Sequence, residues 1–272
     1  MKMTMNSTVI PEVGIHEGVP DTVYHSWDAV SKSGLFEFSK NPGKYRLGKR
    51  KATTKNMLLG TAIDVLLFDG EDEFERRFAV KPEGYKGSTK ADKEWRAANA
   101  HLQQLSIDEA DACRSAAEAI MRYEPAIPYF TGGRSQLSLV WVDSETGLLC
   151  KARPDYKPDC PFMADLKSTN DVSAEAFGKI AWDFRYHWQA AFYSDGWEIL
   201  TGEHIDKFVF GAVEMERPNA VEVYDTPIDI MDLGRDQYRS VLDSYAACKE
   251  TDTWLLSSGE EQTLTFPSWA WR

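Results

Sequence analysis

Cysteine is scarce and scattered in this sequence: Cys113, Cys150, Cys160 and Cys248 include no CxxC pair. Such spacing supports neither a zinc knuckle nor a disulfide framework, and it points to the reducing cytoplasm. No apolar run reaches the roughly 18–20 residues that a membrane helix needs, so the chain is expected to stay in water, with no membrane partner. The N-terminus, MKMTMNSTVIPEVGIHEGVPD, has one lysine but neither an apolar stretch of signal-peptide length nor a small-residue cleavage pattern, which argues against export. Internal repeats and low-complexity segments are also missing. Positive charge is in short supply: 31 Lys and Arg against 43 Asp and Glu give a net charge of −12. That balance speaks against nucleic acid unless basic residues are concentrated somewhere. KYRLGKRKATTK, from Lys44 to Lys55, does concentrate them and holds no acid. A basic strip on an acidic body and a plain solvated loop fit that segment equally well.

The hydrophobic fraction of 43% in 272 residues suffices for one sizeable core. Residues 1–22, broken by Pro11, Gly14, Gly18 and Pro20, read as an irregular, flexible arm, and 23–272 as a single domain. SWDAVSKSGLFEFSKNPGKYRLG predicts one short helix ending near Asn41-Pro42-Gly43, and NMLLGTAIDVLLF a buried helix over about 56–68. Glu71 to Lys93 reads as a charged, glycine-containing stretch with a strand edge and a loop. Two amphipathic helices follow between Lys93 and Arg122, the second capped by Ser106. SQLSLVWVD and GLLCKARPDY alternate as a β-hairpin, and PFMADLKST is a third strand. A long helix over about 173–201, capped by Ser173, precedes two more strands and a closing helix over 229–250. The tail, TFPSWAWR, suits docking on a neighbour. This order indicates a mixed α/β core.

Strand periodicity puts Asp165 and Lys167 on one face, and the KPDCP turn returns Asp155 beside Asp165. Two converging carboxylates raise each other's pKa unless positive charge sits between them. Oxygen ligands of this kind suit Mg²⁺, with Mn²⁺ as a substitute. Lys167 would then orient or deprotonate an attacking water. The bland alternative is a surface hairpin with a weak ion pair worth roughly 0–1 kcal/mol. Asp64, alone in an apolar helix, needs a partner, and a metal or an arginine would serve. Gln189 and Tyr193 form an i, i+4 pair in YHWQAAFY, and the amide of Gln136 could reach the same place. Trp182, Tyr186, Trp188, Phe192 and Trp197 are mostly assigned to core packing.

Taken together, GTAIDVLLF, SQLSLVW, KARPDY, FMADLKST and YHWQAAFY resemble in order and spacing the PD-(D/E)XK nucleases of the RecB-like branch, above all the RecE-type exonucleases (exodeoxyribonuclease VIII), over about residues 24–215. The resemblance implies a restriction-endonuclease-like core, a central mixed sheet flanked by helices. It also implies a Mg²⁺-dependent 5′→3′ exonuclease that acts on double-stranded DNA ends and leaves 3′ single strands for an annealing partner. A homo-oligomeric ring, tetrameric by preference, is part of that picture. By position, Asp155 and Asp165 match the metal-binding carboxylates, Lys167 the catalytic lysine, Gln189 and Tyr193 the QxxxY motif, and the Leu166 carbonyl a further metal ligand. Asp64 stands where relatives usually carry histidine, and Gln136 where many carry an acid. SKSGLFEFSKNPGKY resembles the segment that grips a terminal 5′-phosphate, with Ser31 and Ser33 as donors and Lys32, Lys44 or Arg46 as charge; helix capping by either serine is the alternative. Two other readings stay open: a different RecB-branch nuclease of the Cas4-like kind, which usually carries grouped cysteines, and a DNA-end-binding protein without catalysis.

Overall fold

The computed structural model describes residues 9–48, 54–85, 87, 89–257, 259, 261 and 263–266. Three expectations therefore lie partly outside the described residues: the arm over 1–8, the basic strip at Lys49, Arg50 and Lys51, and the tail from 267 onward. In chain order the elements are β1 (Gly14–His16), α1 (Asp21–Ser26), α2 (Lys32–Lys40), α3 (Pro42–Arg46), α4 (Lys55–Phe68), α5 (Glu71–Arg77), β2 (Phe78–Val80), α6 (Lys90–Ala98), β3 (Gln103–Leu105), α7 (Ile107–Arg122), α8 (Ile127–Phe130), β4 (Gly133–Ser135), β5 (Ser138–Val142), β6 (Leu149–Ala152), β7 (Tyr156–Pro158), β8 (Phe162–Thr169), α9 (Ala174–Asp183), α10 (Tyr186–Thr201), β9 (Lys207–Glu214), β10 (Val221–Asp225) and α11 (Ile228–Thr251). Among the described residues, no helix is long and apolar enough to cross a membrane.

A mixed five-stranded sheet runs β10-β9-β8-β7-β4. Its centre is the parallel pair β8 and β9, in register from Phe162↔Lys207 to Thr169↔Glu214. A parallel pair needs a long crossover, and α9 with α10 supplies it. The buried residues of β8 alternate between two cores: Met163 joins the cluster under α10 and α11, while Ala164 and Leu166 join the one under α4 and α7. Both faces of the sheet are therefore covered by helices, which matches the expected class. A second sheet, β1-β5-β6, carries Leu139 and Trp141 into the α10 side.

Side-chain caps set the helix starts. Ser31 accepts from Gly34 N–H, Thr54 from Met57 N–H and Ser173 from Ala176 N–H, and Ser106 forms a reciprocal capping box with Glu109. Four expectations need correction. Of the arm, Gly14–His16 is a strand paired with β5, held there by backbone pairing that its glycine and proline punctuation does not reveal. The charged stretch after Glu71 is helical as α5, with three acids in its first turn and Arg76 and Arg77 in its last, an arrangement that complements the helix dipole. GLLCKARPDY is two strands in two sheets, because β6 ends at Ala152 and β7 begins at Tyr156 around Pro154. The helix over 173–201 breaks at Arg185, whose φ of 57° is left-handed.

Two glycines seat α10 at close range. A Cβ on Gly196 would come within 2.7 Å of the Trp141 ring, and one on Gly234 of α11 within 2.2 Å of the His187 carbonyl. The second contact is with backbone, which cannot swing aside. Gly234→Ala is expected to destabilise the protein by about 1–3 kcal/mol through overpacking, read as a loss of several degrees in Tm by circular dichroism; an unchanged Tm would show that α10 and α11 have room to separate.

Candidate active site

The site lies where the sheet comes apart. Strands β7 and β8 share one register pair, Tyr156↔Ala164, and extending that register by one residue sets Asp155 opposite Asp165. Instead of continuing the ladder, the Asp155 carboxylate takes the place of a strand: its Oδ2 accepts the Leu166 N–H at 2.8 Å. Its Oδ1 accepts the Gln136 amide at 3.3 Å, and Gln136 N–H in turn donates to the Asp155 carbonyl at 3.0 Å. Gln136 reaches this position through a left-handed φ of 51°. Because the N–H and C=O of a strand residue point to the same edge, the Leu166 carbonyl also faces Asp155.

Asp165 is buried, 2% exposed. Its Oδ1 accepts the Gln189 amide at 2.5 Å, and its Oδ2 forms an ion pair with the Lys167 ammonium, on the same strand face. That Oδ2 lacks any well-directed hydrogen bond, so charge proximity alone compensates it. Burial by itself would lower the Lys167 pKa, but Asp165, Tyr186 and Asp155 together hold it above the ordinary lysine value. These neighbours favour the ammonium form of Lys167, a donor and a counter-charge to Asp165. Its Nζ sits 4.8 Å from the centre of the Tyr186 ring.

Asp64 arrives from the opposite face of the sheet. The α4 residues Ala62, Ile63 and Val65 pack in the cluster that holds Leu166, and the intervening Asp64 meets the same gap. Among the described residues no hydrogen bond or ion pair satisfies its carboxylate; burial, then Asp155 and Asp165, push its pKa well above the normal range. Asp155 is pushed up to about 8 by burial and by Asp165, against the pull of Lys167 and the Leu166 N–H. Tyr193 is also raised well above its usual value, by burial and by the neighbouring Tyr24, Asp165 and Asp155. It therefore stays a neutral phenol near the cluster.

The structure thus gathers Asp64, Asp155, Asp165, Leu166, Lys167, Gln136, Gln189 and Tyr193 in one place. The proposed phosphate grip divides. Ser31 is the α2 cap, with the exposed Ser33 hydroxyl 3.3 Å away. Lys32 between them is buried and donates to the Phe184 carbonyl at 2.6 Å. Burial, and then the Lys167 charge, lower its pKa to about 7. Lys44 and Arg46 are not brought to the carboxylates: α3 docks at the other end of α2, where Gly43 N–H bonds the Leu255 carbonyl and Arg46 lies 3.6 Å from Asp252. Arg153, close to Asp155 in sequence, is engaged instead with Asp21 at 2.9 Å and the Val19 carbonyl at 3.0 Å. Tyr186, which the sequence groups with mostly core aromatics, lies against Lys167. Its signal is spacing: Tyr186, Gln189 and Tyr193 sit at i, i+3 and i+7 on one helix face.

The donors are hard oxygens, the kind that Mg²⁺ and Mn²⁺ take. Among the described residues no three His, Cys, Asp or Glu side chains stand close enough to form a cage by themselves. Mg²⁺ usually takes one or two carboxylates and completes its shell with water and substrate phosphate. The orphaned Asp165 Oδ2 and the unpartnered Asp64 fit that demand.

Comparison with known proteins bears on the fold. The model of a PDDEXK-like domain of unknown function, DUF3799, matches residues 33–265. No curated protein matches the chain. The crystal structure of a "putative exonuclease" from Eubacterium rectale is similar to this chain with a TM-score of 0.63 at 13% identity, covering 88% of this chain and 90% of that one. At that identity the likeness concerns the fold.

The crowded carboxylates make stability depend on pH. Asp155 is protonated in the fold up to about pH 8, whereas in the unfolded chain it ionises near 4. The folded state therefore holds extra protons across that window, and stability falls as pH rises through it. In EDTA, the denaturation midpoint is expected to drop between pH 5 and pH 8, and Asp155→Asn to flatten the slope. Equal slopes in wild type and variant would mean that Asp155 titrates normally.

Proposed function

The chain belongs to the PDDEXK-like DUF3799 family, with its nuclease fold matched over residues 33–265, and from that premise we propose that it is a divalent-metal-dependent nuclease that hydrolyses DNA phosphodiesters. The observation that carries this reading is the meeting of Asp155, Asp165 and Lys167 at the break between β7 and β8. A binding module gains nothing from carboxylates turned toward phosphate, since each repels it. The set makes sense when a cation and a phosphate are both to be accommodated.

Asp155, Asp165 and the Leu166 carbonyl would hold Mg²⁺ or Mn²⁺, with Asp64 adding charge from α4. The bound ion would stabilise charge developing on the phosphoryl oxygens and acidify a water. Gln189 fixes the Asp165 carboxylate by its 2.5 Å hydrogen bond, so the oxygen facing the gap is set in direction. Lys167, protonated beside Asp165, donates to an attacking water or a non-bridging phosphate oxygen and adds positive charge there. Tyr193, a neutral phenol, offers a hydrogen bond without adding charge. Of the α2 N-terminus, Ser31 and Ser33 would offer hydroxyls to a terminal phosphate, while the buried Lys32 stays committed to the Phe184 carbonyl.

In its finer form the reading is a 5′→3′ exonuclease on double-stranded DNA ends that leaves 3′ single strands for an annealing protein, working as a homo-oligomeric ring. A ring would let an acidic exterior coexist with basic residues turned toward DNA. Linear duplexes labelled at the 5′ or 3′ end, with Mg²⁺ or EDTA, test activity and polarity together. Wild type is expected to release 5′ nucleotides only with metal, and Lys167→Ala and Asp165→Asn to lose at least about 10²-fold in rate while remaining folded by circular dichroism. Mg²⁺ or Mn²⁺ should also raise the Tm of wild type but not of Asp165→Asn. Undiminished cleavage by Lys167→Ala would overturn the assignment; tight end binding without cleavage would favour a clamp.

A further inference from the structure

The aromatic residues around α10 divide in a way that packing does not explain. Trp188, Phe192 and Trp197 are 5%, 1% and 4% exposed, as core residues are, whereas Trp182 is 50% and Phe184 56% exposed. Both stand at the break between α9 and α10, on either side of Asp183 and just before the left-handed Arg185. A non-glycine residue in that conformation costs on the order of 1 kcal/mol, and the surroundings hold it in place. The Arg185 side chain donates back to the Trp182 carbonyl at 2.5 Å and lies 4.6 Å over the Trp182 ring. The other edge of the platform is Trp182 stacked on His187, 5.4 Å apart with planes 8° from parallel. Lys32 pins the Phe184 carbonyl from below at 2.6 Å. Two large rings are thus fixed in direction and left open to solvent.

The knuckle is continuous with the nuclease site. From the Lys167 ammonium it is 4.8 Å to the Tyr186 ring, and from that ring 6.3 Å to the Phe184 ring, in near-parallel stacking. That path is the span of a few stacked nucleotides at about 3.4 Å each. Arg185 contributes a planar cation here, and Lys179 lies about one turn before Trp182 on α9.

We propose that Trp182 and Phe184 form a stacking platform for unpaired nucleobases next to the phosphodiester presented to Lys167. The proposal rests on the nuclease reading for the nature of its ligand. Every base has a π-face, so the platform grips a strand without choosing sequence; at Trp182 the planar Arg185 guanidinium over the ring offers its outer face to a base, and at Phe184 the exposed ring does so directly. A platform of this kind holds a frayed end open while the backbone is threaded to the carboxylates.

The test is binding in EDTA, by fluorescence anisotropy, to a labelled duplex with a short single-stranded end, carrying either normal bases or abasic sites in the first few positions. Each of Trp182→Ala and Phe184→Ala is expected to weaken binding of the normal end about 5- to 100-fold. Abasic sites should weaken wild type by a similar factor and leave the double variant unchanged further. Trp182→Phe should retain most of the affinity. The proposal fails if the double variant binds normal ends as wild type does, or if it loses affinity equally for normal and abasic ends. It also fails if the substitutions change only the oligomeric mass by light scattering, which would make the rings a subunit contact. Base-dependent binding by a protein that cleaves nothing with Mg²⁺ would refute the nuclease reading and keep the platform; cleavage without base dependence would do the reverse.

Discussion

A carboxylate at 2% exposure in the middle of the central strand is the constraint around which this fold is arranged. An unpaired buried charge costs several kcal/mol, so Asp165 requires partners from more than one direction. Lys167 supplies one from two residues along the same strand. Gln189 supplies the other from α10, which ties the strand to a helix that must lie close above it. Closeness explains the glycines: Gly196 lets Trp141 touch α10 and Gly234 lets α11 touch it. Side chains at these two positions would push α10 out of place and take the Gln189 amide with it. Packing in the core and geometry at the site are one problem here.

Beside Asp165 the protein keeps two further carboxylates whose charge is poorly compensated. Asp64 lacks a hydrogen bond or ion pair among the described residues, and Asp155 is raised to about 8 even though two donors meet its oxygens. Sequences selected for stability alone would replace one acid with an amide or a hydrophobe. Keeping three means that the fold carries repulsion which a divalent cation would relieve. Gln136, left-handed at the rim, belongs to the same logic: as an amide it donates to Asp155, whereas an acid there would have added a fourth negative charge. An aspartate at position 64 offers a hard carboxylate oxygen where a histidine would offer an imidazole nitrogen, and it brings its own charge, which strengthens the demand for a cation.

What could be read from the sequence followed from periodicity and caps. The alternation of FMADLKST places Asp165 and Lys167 together, and the KPDCP turn brings Asp155 beside them. Ser106 and Ser173 mark helix starts because their hydroxyls have orphan N–H groups to accept from. The features that escaped depend on distant partners more than on local signals. Arg185 turns left-handed without glycine, asparagine or proline to announce it; at the break the Phe184 carbonyl is bonded by Lys32, from a helix more than 150 residues away. The split of GLLCKARPDY between two sheets depends on Arg153 bonding α1, again a distant partner. Lys44 and Arg46 looked like phosphate ligands because they are basic and near Ser31 in sequence, yet a nine-residue helix carries the chain from Ser31 to the far end of α2 before they occur.

The break at Arg185 is also what joins the inner and outer parts of the site. Had α9 and α10 been one helix, residues 182 and 186 would lie one above the other on a single face, and burial of Tyr186 against Lys167 would have drawn Trp182 toward the core with it. The left-handed turn uncouples the two faces. Tyr186, Gln189 and Tyr193 continue inward along α10, while Trp182 and Phe184 are released to solvent. The strain is held by Lys32, which is buried beneath the turn and drawn toward neutrality by desolvation and by Lys167. A lysine held at such a cost is hard to account for as surface decoration. It is accounted for as the strut that keeps an open aromatic surface and the buried carboxylate–lysine face in fixed relation.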